Sequence, residues 1–516
     1  MCLGYALTVD RFAAFPLRTA GARLIGPPIV AFVASIFFVA VLAAQAQESI
    51  EPDILPSLAE PPPAPAESLP SASTEPLPAV PQSLPSAPAE PLPSPEPPLP
   101  SSEEAFPSST RPLSSSMNYT GGYTTVVPAP VATGPNGVFP GGEPIESGEP
   151  RRIYYKFGLT VRGVWDDNIY LTHTNKVSDY YFAIEPWITI GVGDIEGRNK
   201  SYLRLDYMPS GILYVDHSDQ NAFDQVIHLE GGYSSGRWTF SLAEDIALLE
   251  SANFNSFFDT TGLWANTDAG GRTRVNIFNT RARADYQLTG KVYLQGEFDS
   301  SIYFYPDHFS DYMISTGLYV YYNWQPKVSV GIGGTWGYDW VDDPTANQTF
   351  EQVNARLNYE VTSKLFLYAS AGVEFRQFDG NRGTYTSPVF EVGSIYTPFS
   401  GTTITLAAGR QIYPSGYLAN QDFGGTYVIG RFQQRLFRRL YLGLGAGYEN
   451  SDYIATDRDV SATRNDDYWF VEPSLDVGIT RWLSAGVYYL HREDDSNIDS
   501  VSFDDNQVGV RATVRF

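Results

Sequence analysis

The sequence predicts a closed antiparallel up-and-down β-barrel of about 18 membrane-crossing strands, and three features of residues 151–516 point to it. Apolar and polar or small side chains alternate through segments of about 10–14 residues. The connections between segments alternate between short and long. Aromatic residues, 14% of the chain, gather near segment ends, where lipid meets water.

The elements before the barrel differ in composition. Arg11, Arg18 and Arg23 precede an apolar run from Ile29 to Ala44, which closes on the small-x-small triplet Ala44, Gln45, Ala46. That run is short for a transmembrane helix, so residues 1–46 read as a signal peptide rather than an anchor. The chain's one cysteine, Cys2, lies within it, which leaves the mature protein without disulfides or thiolate metal sites.

From residue 47 to 150 the chain is Pro-rich, with 20 prolines between Pro52 and Pro112. Proline lacks the N–H and fixes φ, so stretches such as Glu60-Pro61-Pro62-Pro63 cannot fill a helix or a ladder. A disordered, extended periplasmic linker is expected, able to span on the order of 200 Å at about 3.1 Å per residue. It could serve as a passive spacer or as a docking arm.

The alternation beyond residue 150 is clearest at 328–340, where Val328, Val330, Ile332, Trp336, Tyr338 and Trp340 share one face and Ser329, Gly331, Gly333, Thr335 and Asp339 the other. Side chains on a strand point alternately to its two faces, so one face suits lipid and the other water. The pattern recurs at 353–360 and at 365–376. Short turns fall at 234–237, 288–291, 324–327, 361–364, 437–439 and 479–482, with longer polar loops at 250–271, 341–348, 413–421 and 451–465.

The expected strands are 153–164, 179–191, 200–215, 221–234, 237–249, 272–288, 291–305, 310–323, 327–340, 349–360, 364–378, 384–397, 403–412, 422–435, 439–450, 466–479, 482–493 and 502–516. An even count puts both barrel ends on the periplasmic side, where the linker enters. A propeller would need four short strands per repeat where this chain has one long strand per half-repeat, and a sandwich of such two-faced strands would lack a filled core. Boundary aromatics are read at Tyr286, Tyr293, Trp324, Tyr359, Tyr441 and Trp482 beside short turns, and at Trp165, Tyr305, Trp340, Phe378 and Tyr448 beside long loops.

The last strand alternates through Val508, Val510, Ala512 and Val514 to a terminal Phe516, the pattern of an assembly signal read by the barrel-assembly machinery. The segments Gly163-Val164-Trp165-Asp166-Asp167-Asn168-Ile169-Tyr170 and Ile184-Glu185-Pro186-Trp187 are followed near the end by Thr480-Arg481-Trp482-Leu483-Ser484 and Asp504-Asp505-Asn506. Through these, residues 151–516 resemble a family of β-barrel porins of bacterial outer membranes, some of whose members accompany exopolysaccharide production and export. The resemblance implies a porin-like channel in the bacterial outer membrane, in contact with lipid and lipopolysaccharide. Polysaccharide export, surface attachment and a structural barrel without an open pore are the alternatives it leaves. It carries no catalytic residue set.

Net charge is −24, which argues against a nucleic-acid partner. His173, His217, His228, His308 and His491 show no metal-ligand spacing. No enzyme is expected, and the low-complexity segment before Arg151 could not fold as a receptor plug. Parity assigns Arg162, Arg204, Asp206, Arg281, Arg283, Asp285, Glu297, Arg356, Glu374, Arg376, Arg431, Arg435, Arg511 and Arg515 to the pore lining. Arg281, Arg283, Arg431, Arg435 and Arg511 are expected to bias it toward anions. Glu244 and Arg410 fall on the lipid-facing parity instead. Closure of strand one on strand 18 should bring Asp166 and Asp167 beside Asp504 and Asp505, hard oxygen ligands suited to Ca²⁺ at the extracellular rim, and no other cofactor is expected.

Overall fold

The computed structural model describes residues 153–193, 201–250, 268–269, 272–380 and 383–516; the assigned signal peptide and Pro-rich linker lie outside the described residues. The strands are β1 (Ile153–Asp166), β2 (Asp179–Gly193), β3 (Tyr202–Tyr214), β4 (Ala222–Ser235), β5 (Trp238–Leu249) and β6 (Val275–Gln287). They continue as β7 (Val292–Phe304), β8 (Asp311–Gln325), β9 (Val328–Val341), β10 (Gln348–Thr362), β11 (Leu365–Phe378) and β12 (Gly383–Tyr396). The last six are β13 (Thr402–Pro414), β14 (Gln421–Leu436), β15 (Leu440–Ala455), β16 (Asn465–Gly478), β17 (Leu483–Ser496) and β18 (Phe503–Arg515). Each pairs antiparallel with its sequence neighbours, and β1 also pairs with β18, so the sheet closes without a free terminal strand. Among the described residues no helix is long and apolar enough to cross a membrane; the chain crosses with strands.

The period-2 pattern decides which way each side chain points. On β1 the exposed residues are Ile153, Tyr155, Phe157, Leu159 and Val161, while Thr160, Arg162, Val164 and Asp166 are buried. Exposed apolar side chains continue around the ring through Phe182 and Ile184, Leu318 and Val320, Ile332 and Trp336, Leu442 and Leu444, and Val508 and Val510. Outside is therefore lipid, and inside is polar. Inward glycines make room for inward rings on the neighbouring strand: a Cβ on Gly337 would lie 2.1 Å from Phe350.

Several extracellular strand ends run past the expected limits, to Asp166, Ala455 and Ser496. The reason is physical. Ladder hydrogen bonding continues into the polar hairpins above the bilayer, where side chains no longer need to alternate. Four boundary aromatics also differ from expectation, because Tyr293 stacks inward on Tyr321 with ring centroids 4.7 Å apart, and Tyr305, Phe378 and Tyr441 are buried. Trp324, Trp340, Tyr448 and Trp482 face out as expected.

Candidate channel interior

All fourteen charges assigned to the lining stand on the inward parity of their strands, and ten of them are held in ion pairs. A lipid-facing charge costs about 2–4 kcal/mol at the bilayer midplane, which fixes the parity; a buried unpaired charge is also costly, which fixes the pairing. Arg162 on β1 holds Glu185 on β2 at 2.7 Å and donates to the Tyr488 hydroxyl at 2.8 Å. Arg204 meets Asp206 at 2.8 Å and Glu230 at 3.6 Å. Arg281 and His228 share Asp245, at 2.6 and 2.5 Å. Asp285 accepts from Gln295.

Two arrays reach further across the wall. Glu297 on β7 receives Arg283 of β6 at 3.3 Å and Arg356 of β10 at 2.8 Å, and the Arg356 guanidinium lies 3.3 Å from the ring centre of Tyr319. Arg376 on β11 holds Glu374 at 2.7 Å and Asp422 of β14 at 3.4 Å, while Gln348 on β10 donates to the same Asp422 at 2.9 Å. Arg511 clasps Asp476 at 2.5 Å. Toward the periplasmic end Arg435 donates to Ser400 and Arg515 to the Arg481 carbonyl, and Arg431 is half-buried.

These contacts bear on the expected anion bias at three of its five arginines. Arg281, Arg283 and Arg511 each face carboxylates at ion-pair distance, so they are not free fixed charges. The inner wall also carries Asp311, Asp339, Glu391 and Asp494.

At the extracellular end the tip of the β13–β14 hairpin leaves the wall. Residues 411–416 and 422–425 are buried on both parities, unlike a lipid-facing strand. Asp268, from the β5–β6 connection, takes hydrogen bonds from Ser415 Oγ at 2.8 Å, Gly416 N–H at 2.7 Å and the Tyr453 hydroxyl at 2.6 Å. In an 18-strand ring β5 and β14 stand opposite, so this carboxylate joins the two sides of the mouth. Phe309 N–H donates to Gly416 O, and Asn420 N–H to Thr345 Oγ1, which ties in the β7–β8 and β9–β10 connections. Arg464 donates to the Asp268 carbonyl at 2.7 Å and to Asp466 at 3.0 Å. Burial works against its charge, but Tyr453 and the carboxylates of Asp466 and Asp268 outweigh that and hold its pKa above the ordinary arginine value.

The rim cluster forms with one change of membership. Carboxylate oxygens of Asp166, Asp167 and Asp505 come within 4.8 Å of one another, whereas Asp504, on the outward parity, turns away to Lys176. Alternation along β18 makes the two neighbouring aspartates face opposite sides. Asp167 accepts from Asn506 through both oxygens, Asp166 accepts from Asn168 N–H, and Arg492 donates to Asp505 Oδ2 at 2.6 Å. Asp505 Oδ1 is buried with no hydrogen-bond donor, and three carboxylates beside one guanidinium leave an excess of negative charge carried by hard oxygen atoms. Among the described residues it is the one cluster of this kind.

Residues 394–516, from the last turn of β12 through β18, match the family model described as "Putative beta-barrel porin 2". The match takes in the end of β12 and the strands β13 to β18, and not the earlier part of the barrel. Solved structures that are similar to the chain include OpdK, OccK2 (OpdF) and OprD, all of Pseudomonas aeruginosa. OpdK is 12% identical with TM-score 0.35 and coverage of 70% of this chain and 99% of that one. OccK2 is 11% identical with TM-score 0.38, covering 70% and 98%. OprD is 11% identical with TM-score 0.35, covering 70% and 95%. At such values the fold reading stands on the strand pairing itself. No curated protein matches the sequence.

His228 serves Asp245 and Glu230, and His217 serves Asp179, so these two histidines are structural partners. Glu244 and Arg410 stand on the outward parity; Glu244 is nonetheless buried and accepts from the Thr280 hydroxyl, and Arg410 donates to that of Thr426, both at 2.6 Å. Glu185, Asp422, Asp476 and Arg492 were missed as interior residues, although parity alone would have found Glu185 and Asp476. For Asp268, within a long loop, no sequence signal existed.

Proposed function

We propose that the barrel is a narrow, charge-lined channel for small polar solutes, with the fourteen inward charges as its lining. The observation that carries this reading is the inner wall, where arginine–carboxylate pairs of both signs stand behind an apolar outer belt. Because seven of the ten lining arginines are held in ion pairs with carboxylates, little positive charge is left unbalanced, and the channel favours cations and neutral polar solutes over anions. A second reading, passage of saccharides, is supported by the inward tyrosines, including Tyr181, Tyr368, Tyr427 and Tyr468.

Planar-bilayer recording of the purified chain tests both. Discrete conductance steps with a cation-leaning reversal potential are expected, and Asp268→Ala, which frees the hairpin tip, should raise the conductance. Absence of steps in wild type and variant alike would refute the channel. Block by neutral oligosaccharides at millimolar concentration would favour the saccharide reading.

A further inference from the structure

The ladder between β12 and β13 is the shortest of the eighteen. It holds seven residue pairs, from Tyr396↔Ile404 up to Phe390↔Arg410, and stops there. Above that point β12 continues in full register with β11 as far as Gly383, and β13 continues with β14 as far as Pro414. Two strand edges therefore part company, because the hairpin tip beyond Arg410 has turned inward toward Arg376, whose Nη2 donates to Ile412 O at 3.4 Å.

The split reaches into the membrane. From Phe390 to Tyr396 the strand climbs roughly 15 Å, at about 3.3 Å per residue and a tilt near 40°, whereas an apolar band is about 25 Å tall. Unpaired backbone N–H and C=O groups are not tolerated against hydrocarbon, though they are where they line water or a polar ligand. At the crotch of the split stands Arg410, facing outward among Phe390, Leu406 and Val428, all exposed to lipid. A guanidinium in that setting costs free energy unless an anion accompanies it.

We propose that the split between β12 and β13 is a lateral portal from the lumen to the outer leaflet, and that its ligand is a long-chain amphiphile with an anionic head group. Arg410 holds the head group at the crotch. The chain lies between the edge of Gly383–Val389 and the inward-turned β13, and leaves sideways because the hairpin tip blocks the way up. Ion conduction through the lumen does not depend on this route, so failure of the portal and failure of the channel reading are distinguishable.

Ser387 and Ser315 form a matched pair of reporters. Both face inward, both are 1% exposed, and each lies four residues from the extracellular start of its strand. Ser315 sits within continuous ladders on both sides, and Ser387 borders the split. In a Cys2→Ser background, Ser387→Cys and Ser315→Cys are labelled with a small fluorophore, and the full chain in vesicles is titrated with a brominated long-chain fatty acid. Saturable quenching at position 387 and none at 315 is expected. Arg410→Gln should raise the half-saturating concentration about tenfold, the loss of one charge-assisted contact, while bilayer conductance stays unchanged. Equal quenching at both positions, or none at 387, overturns the portal. Quenching at 387 that a brominated zwitterionic phospholipid reproduces and that ignores Arg410→Gln overturns the anionic ligand.

Discussion

Phe516, the last residue, stacks on Phe157 of the first strand with ring centroids 5.1 Å apart, and the two exchange backbone hydrogen bonds at 2.9 and 3.4 Å. The chain's end is thus part of the seam that closes the barrel. Phe516→Ser should remove the ring contact, worth about 0.5–1.5 kcal/mol beyond its area, and lower the fraction assembled in the outer membrane far more than the amount synthesised. Heat-modifiable migration of the membrane fraction on gels measures it, and wild-type levels would contradict an assembly role.

Among the described residues Glu297 is the carboxylate paired with Arg356, and both groups are nearly fully buried. Glu297→Gln should leave a guanidinium without its charge partner and destabilise the barrel by about 3–5 kcal/mol. Adding Arg356→Met should return much of the loss. Urea unfolding in detergent reads both variants, and a Glu297→Gln protein as stable as wild type would show that Arg356 is solvated in the folded state.

Arg511 and Asp476 should act with opposite sign on selectivity. Arg511→Ser leaves Asp476 uncompensated and shifts the reversal potential toward cations; Asp476→Asn frees Arg511 and shifts it toward anions. Shifts of the same direction in both variants would place the pair away from the conduction path.

Ca²⁺ bound by Asp166, Asp167 and Asp505 should raise the unfolding temperature on the order of 3–5 °C when present at about 100 times its dissociation constant. Asp166→Asn with Asp167→Asn should abolish the response and keep the Asp505–Arg492 pair. Asp504→Asn should retain it, since that side chain faces Lys176. A thermal scan without any Ca²⁺ response in wild type would mean that Arg492 alone balances the cluster.

How much of this was readable in advance differs from residue to residue. Arg162, Arg356 and Arg376 could be placed indoors from alternation alone, because a strand has two faces and only one tolerates charge in lipid. Strand number, closure and the periplasmic ends followed from the same rule together with turn lengths. The partners did not follow. Arg356 on β10 finds Glu297 on β7, and Arg376 on β11 finds Asp422 on β14, which depends on barrel curvature and side-chain reach that no local pattern encodes.

The sequence by itself determined the wall: period-2 alternation against lipid favours a ring of these strands, which satisfies the backbone groups that face hydrocarbon. Only the tertiary structure decided the neutralisation of the inner arginines, the turning away of Asp504, and the inward bend of the β13–β14 hairpin onto Asp268. Those depend on contacts between residues far apart in the chain, whose distances are set when the ring closes.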